Sequence, residues 1–268
     1  MSLAPLPGWS TSSAWDVNSH GSAIGYSWTP NTYQPTLWDA SGTPQPISIP
    51  GSPSAIAVAI NNAGLVVGRS GLGNWAWDAN NGGQLLAPLG LPSNCYVRDV
   101  NESGQLVGGQ AYSYAWRFDL ASSTLTYCGT LSGLYSEANA VNNLGHVVGR
   151  SMSFNFGYDY LPFLWTPEEG MFGLGSIEAP YWFMVQGSAN GVNDRDEVVG
   201  AIRVLGDRVH AFLWDRTYGM RDLNVLVRQR GPFELREGIS ISNTGWIVGK
   251  ALDTSNNDAP VTFVLRPR

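Results

Sequence analysis

A nine-residue pattern of apolar and polar positions recurs six times along the chain. It reads apolar, Asn, two variable residues, Gly, one variable residue, two apolar residues, Gly. The copies begin at Val17 (VNSHGSAIG), Ile60 (INNAGLVVG), Val100 (VNESGQLVG), Val141 (VNNLGHVVG), Val192 (VNDRDEVVG) and Ile241 (ISNTGWIVG). Asp196 replaces the middle Gly in the fifth copy, and Ser242 replaces Asn in the sixth. After each copy comes an aromatic or apolar segment ending in Trp: TLWD (36–39), WAWD (75–78), YAWRFD (114–119), PFLWT (162–166) and AFLWD (211–215). The sixth, TFVLR (262–266), places Leu265 in the Trp column. A turn and a shorter apolar segment follow, as in GQLLAPLG (83–90) or STLTYCGT (123–130).

Each unit therefore predicts four short strands. The first ends at the Asn, the second is the VVG segment, the third carries the Trp, and the fourth is the shorter apolar segment. Four antiparallel strands in about 40–45 residues predict a propeller blade. Six units predict an all-β chain, a six-bladed β-propeller in one domain over residues 1–268, with blades beginning near 12, 55, 95, 137, 188 and 237. The sixth unit stops after its third strand, and SLAPLPG (2–8) matches LLAPLGL (85–91). Residues 2–8 are accordingly expected to supply the missing strand and complete the last blade.

Elementary chemistry accounts for the recurring residues. Asn bonds the backbone two residues on, and Gly supplies positive φ for the return. Trp38, Trp77, Trp116, Trp165 and Trp214 are expected as bulky wedges between neighbouring sheets. Small residues before the apolar-Asn step (Ala59, Ala140, Gly191, Ser240) suit close strand approach. Asp16 and Asp99 share that column, but two carboxylates in six positions predict no metal site. No cofactor is predicted.

Composition narrows the function classes. Only 13% of the 268 residues are charged and the net charge is −6, which is no footprint for nucleic acid. No apolar run is long enough to span a bilayer, and no signal peptide is visible. The two cysteines, Cys95 and Cys128, lie in no CxxC or Cys/His cluster and are expected as buried thiols. His20, His146 and His210 fall in different blades, which argues against a His-based metal site or triad. A monomer is expected.

The motif spacings are 43, 40, 41, 51 and 49, so the fourth and fifth blades carry the longest insertions. The loop 150–162 (RSMSFNFGYDYLP) holds Phe154, Phe156, Tyr158, Asp159 and Tyr160, and the loop 175–187 (GSIEAPYWFMVQG) holds Tyr181, Trp182, Phe183 and Met184. The fifth blade adds Arg203, Asp207, Arg208 and His210, and the following loop adds Arg228, Arg230, Glu234, Arg236 and Glu237. The predicted ligand site is Phe156, Tyr158, Asp159, Tyr160, Tyr181, Trp182, Phe183, Arg208 and Arg230. Aromatic faces beside arginines and carboxylates suit a carbohydrate, another small ligand or a protein partner. The expected function is thus a non-catalytic binding module. A glycoside hydrolase or lyase drawing on Asp159, Glu178, Asp207, Glu234 or Glu237 is the enzymatic alternative, although none lies in a recognisable motif. A structural or assembly scaffold is a third.

The fifth unit pairs VVG (198–200) with HAFLW (210–214). This arrangement resembles the HAF repeat of bacterial "probable extracellular repeat" proteins. INNAGLVVGRS and VNNLGHVVGRS match its first segment closely, whereas Pro162-Phe163, Trp75-Ala76 and Tyr114-Ala115 stand where other units would carry His-Ala-Phe. The resemblance covers almost the whole chain. It implies a repeat scaffold in an extracellular or periplasmic setting, and it implies no reaction.

Overall fold

The structure, a computed structural model, describes residues 3–110, 113–154, 159–177 and 186–267, the side chain of Asp159 excepted. Six small antiparallel sheets follow one another, each a meander in chain order, and together they are the blades of a six-bladed β-propeller. The first sheet is β1 (Thr11–Val17), β2 (Ala23–Thr29), β3 (Thr32–Trp38) and β4 (Pro44–Pro46). The second is β5 (Ala55–Ile60), β6 (Val66–Ser70), β7 (Gly73–Asp78) and β8 (Gly82–Leu85). The third is β9 (Cys95–Val100), β10 (Gln105–Gln110), β11 (Ala115–Asp119) and β12 (Thr124–Gly129). The fourth is β13 (Ser136–Val141), β14 (Val147–Ser153), β15 (Asp159–Thr166) and β16 (Gly170–Gly173). The fifth is β17 (Gly187–Val192), β18 (Val198–Val204), β19 (Arg208–Asp215) and β20 (Gly219–Asp222), followed by a single helical turn, α1 (Leu223–Leu226). The sixth has three strands, β21 (Phe233–Ile241), β22 (Ile247–Asp253) and β23 (Ala259–Leu265). No helix among the described residues is long and apolar enough to cross a membrane.

The expectation for residues 2–8 is corrected here. Residues 3–8 form no strand. Their polar groups go to the first sheet: Leu6 N–H donates to Ser27 Oγ at 3.0 Å, and Trp38 Nε1 donates to the Ala4 carbonyl at 2.7 Å. Leu131 N–H makes the same kind of bond to Ser151 Oγ as the chain enters the fourth sheet. The likeness of 2–8 to 85–91 explains the misreading. Strand β8 stops at Leu85, and Ala87–Leu89 is a 3₁₀ turn, so the shared segment is a linker into a blade and not a fourth strand.

The motif glycines have two separate causes. In the turn, Gly145 has φ of 79°, and Asp196, which replaces Gly in the fifth unit, keeps the left-handed conformation at 58°. In the VVG segment the demand is space. A Cβ on Gly68 would collide with the Ile56 carbonyl and the Trp75 ring. That close approach comes from a bulge in the first strand of each sheet, at Trp15, Val58, Arg98, Asn139, Asn190 and Ile239.

By packing, the chain forms two compact units, Met1–Ala111 with Trp116–Thr126, and Tyr112–Ala115 with Tyr127–Arg268. In the first, Ile24, Ile47, Ile60, Val66 and Trp75 make one apolar cluster, and Val67, Val97, Leu106, Trp116 and Phe118 make another. In the second, Val148, Leu164, Val198 and Phe212 pack together, as do Val199, Leu223, Leu235 and Ile247. Trp38 and Trp116 of the Trp column are fully buried, as wedges should be.

The motif asparagines do more than shape turns. Each oxygen caps its own turn, as where His146 N–H donates to Asn142 Oδ1 at 2.9 Å. Each amide nitrogen, in four cases, reaches the next unit. Asn18 Nδ2 donates to the Asn61 carbonyl and Asn61 to that of Asn101; Asn142 donates to that of Asn193 and Asn193 to that of Ser242, all at 3.0–3.2 Å.

Candidate functional site

The predicted ligand site is only partly within the described residues. Phe156, Tyr158, Tyr181, Trp182 and Phe183 lie outside them, as does the side chain of Asp159. Tyr160 carries the Arg150 guanidinium over its ring at 5.1 Å, and Arg150 in turn pairs with Glu137 at 3.0 Å. Arg208 pairs with Glu234 at 2.5 Å. Arg230 donates to the Phe233 carbonyl at 2.5 Å.

Around Arg208 the structure gathers a buried polar cluster. Asp222 Oδ2 lies 2.7 Å from His210 Nδ1, and Glu234 Oε1 lies 3.3 Å from His210 Nε2. Arg236 also reaches Glu234, at 3.0 Å. The hydrogen bond from Arg208, against the cost of burial, holds the Glu234 carboxyl below the usual range. Asp207 pairs with Arg203, and Glu237 with Lys250 at 2.9 Å. The described loop-face carboxylates are therefore occupied by cations. Asp16 spends its oxygens on the Val17 and Ile60 amides, at 2.8 and 2.9 Å.

The site that motif reading missed lies in the first compact unit. A cleft of about 490 Å³ opens between the first two sheets, lined by Trp15, Tyr26, Tyr33, Ile56 and Arg69. The bulge at Trp15 turns its indole out of the strand's alternation, leaving it 48% exposed. Trp15 meets Tyr26 edge-on at 6.0 Å, Tyr26 meets Tyr33 edge-on at 5.3 Å, and Trp28 stacks on Tyr33 at 6.3 Å. Tyr33 is 44% exposed. Four aromatic rings thus form a half-open wall.

Arg69 completes that wall, and the repeat supplies its internal control. At the position directly after the VVG glycine, cations occur at Arg69, Arg150 and Lys250. Across the ladder from Arg150 stands Glu137, and across from Lys250 stands Glu237; both acids close ion pairs. Across from Arg69 stands Ile56. Arg69 Nε is buried and finds no hydrogen-bond acceptor among the described residues. Burial, and then the like charge of Arg98, hold its guanidinium below its ordinary pKa. An orphaned buried donor costs about 1–3 kcal/mol. The cleft therefore combines exposed aromatic faces with a cation that pairs with no acid among the described residues.

No family model matches the chain, and no curated protein matches it either. Solved structures share its fold. An oligogalacturonate lyase in complex with manganese is 10% identical with a TM-score of 0.54, over 92% of this chain and 75% of that one. The oligogalacturonate lyase of Vibrio parahaemolyticus is 7% identical, with a TM-score of 0.56 over 92% and 76%. The extracellular domain of a putative one-component system from B. thetaiotaomicron is 11% identical, with a TM-score of 0.57, and 99% of this chain spans 34% of it. At these identities the likeness concerns the fold alone.

Proposed function

We propose that the protein is a non-catalytic binding module for saccharides that carry a carboxylate, held in the cleft of Trp15, Tyr26, Tyr33 and Arg69. One observation carries this reading: an exposed aromatic wall ends at an arginine that, among the described residues, pairs with no acid and stands across the ladder from Ile56. Aromatic faces suit the apolar faces of sugar rings, and a guanidinium suits a carboxylate. Neutral sugars would leave Arg69 unsatisfied. The loops of the fourth and fifth blades, most of whose aromatic residues lie outside those described, are not needed for this reading. Calorimetric titration with uronic-acid oligomers and with neutral oligomers of equal length is the test. The acidic series binds and the neutral series binds about tenfold more weakly or less. Equal affinity for both overturns the proposal.

The enzymatic alternative, a glycoside hydrolase or lyase, draws on His210 between Asp222 and Glu234, and on lyases among the proteins of similar fold. A His oriented by Asp is a common acid–base arrangement. Here, however, both ring nitrogens face carboxylates of the chain itself. Turnover of an acidic oligosaccharide that is lost in His210→Gln would favour it.

A further inference from the structure

Arg69 looks toward the third sheet as well as into the cleft. Across the ladder from Arg69 stands Asn74, whose buried side chain ties the second sheet to the third. Asn74 Nδ2 donates to the Cys95 carbonyl, and Asn74 Oδ1 accepts from Val97 N–H, both at 2.9 Å. Cys95 and Val97 flank Tyr96, and Tyr96 carries the Arg98 guanidinium over its ring at 5.3 Å. Arg69 senses both neighbours. Burial first, and then the like charge of Arg98, lower its pKa, while the Tyr96 phenol opposes them. The bulges explain how Arg98 reaches the surface. In the first three sheets the bulge residues are Trp15, Val58 and Arg98. In the second compact unit the same position holds Asn139 and Asn190, which turn inward onto the next inner strand. Asn139 Nδ2 donates to the Ala189 carbonyl at 2.8 Å, and Asn190 Nδ2 to the Gly238 carbonyl at 3.0 Å. Arg98 is exposed instead, as Trp15 is. A guanidinium beside an aromatic face thus occurs next to Arg69, on the following sheet.

We propose that Tyr96 and Arg98 form a second anion subsite, so that the ligand is an acidic oligosaccharide with carboxylates on at least two rings, one held at Arg69 and one at Arg98. This inference rests on the reading of the cleft as a saccharide site. Two guanidiniums that the fold holds near one another repel, and a ligand bringing a carboxylate to each removes that repulsion as it binds. The Tyr96 ring offers a sugar the same kind of face that Tyr26 and Tyr33 offer in the cleft. The second contact is made by a ligand already held at the first, so affinity rises with ligand length until both subsites are filled.

Calorimetric titration with uronic acids of one to four rings tests this, beside four-ring oligomers in which every carboxylate but one is methyl-esterified. Affinity of the unaltered protein rises about tenfold or more from one ring to four, and the esterified oligomer loses about tenfold against the full acid. Arg98→Ala lowers affinity for the four-ring acid about tenfold and for the one-ring acid by less, and Arg98→Lys restores part of the loss. Three results overturn the second subsite while the cleft stands: affinity independent of length, equal binding of the esterified oligomer and the full acid, or Arg98→Ala weakening one ring and four rings alike. Failure of every acidic oligomer to bind overturns the reading of the cleft, and this inference with it.

Discussion

Asn61 holds two turns at once: its Nδ2 donates to the Asn101 carbonyl of the next sheet at 3.0 Å, while its Oδ1 accepts the Leu65 N–H of its own turn at 2.9 Å. Both groups are cut off from water when the buried Asn61 is in place. Asn61→Ala leaves a donor and an acceptor unpaired and is expected to cost about 2–4 kcal/mol. Asn61→Asp keeps the turn-capping oxygen but sets a second, charged oxygen against the Asn101 carbonyl where the donor stood, so it is expected to cost at least as much as Ala. Urea unfolding of the two variants measures both. No loss in Asn61→Asp would show that the bond between sheets contributes nothing.

The Asp196 turn sets strain against contact. Its backbone sits at a φ of 58°, a conformation that Gly takes without penalty. Its carboxylate, however, lies 2.7 Å from His146 Nδ1 and accepts from Asn142 Nδ2 at 3.1 Å. Relief of strain is worth under about 1 kcal/mol, whereas buried bonds to a carboxylate are worth about 1.5–3 kcal/mol. Asp196→Gly is therefore expected to lower the melting temperature, although it restores the residue found in the other five turns.

Acid is expected to weaken the fold through Glu234. Its native pKa is depressed, chiefly by Arg208. The stability it adds is complete above the unfolded value, about 4.3, and is lost as pH falls through the lower native value. Asp16 has the opposite sign, because burial raises its pKa. Its charged form is penalised at neutral pH, and that penalty vanishes as pH falls. Stability measured from pH 7 to pH 3 should fall less steeply in Glu234→Gln. The effect of Asp16→Asn should be more favourable at pH 7 than at pH 3.5.

Cys95 and Cys128 are both buried, and burial pushes the Cys95 thiol up to about 11. At pH 8 Cys95 is protonated and shielded. Mass spectrometry after iodoacetamide treatment should find it unmodified in native protein and alkylated in urea.

The blades were legible because each recurring residue answers a local demand. Asn142 and Gly145 make a turn, and Gly149 allows the approach of β13 to β14, in any copy of the pattern. The bond from Asn142 to Asn193 was not legible, since a turn already explained the residue. Residues 2–8 were misread because a linker and a strand end share the same apolar letters. The aromatic loops drew attention by length, yet the described cleft lies between the first two blades, neither of which carries a long insertion. A signal for Arg69 was present: Glu137 and Glu237 stand thirteen residues before Arg150 and Lys250, and Ile56 stands thirteen before Arg69. It becomes visible only once the strand register is known, because cross-strand neighbours are remote in sequence.

Ile56→Glu tests the central claim most directly. It places opposite Arg69 the acid that Arg150 already has in Glu137. In calorimetric titration with a uronic-acid oligomer, the variant should remain folded and lose about tenfold or more in affinity, as its own carboxylate occupies the guanidinium. Unchanged affinity in a folded Ile56→Glu variant would contradict the assignment of Arg69 as the anion-binding group.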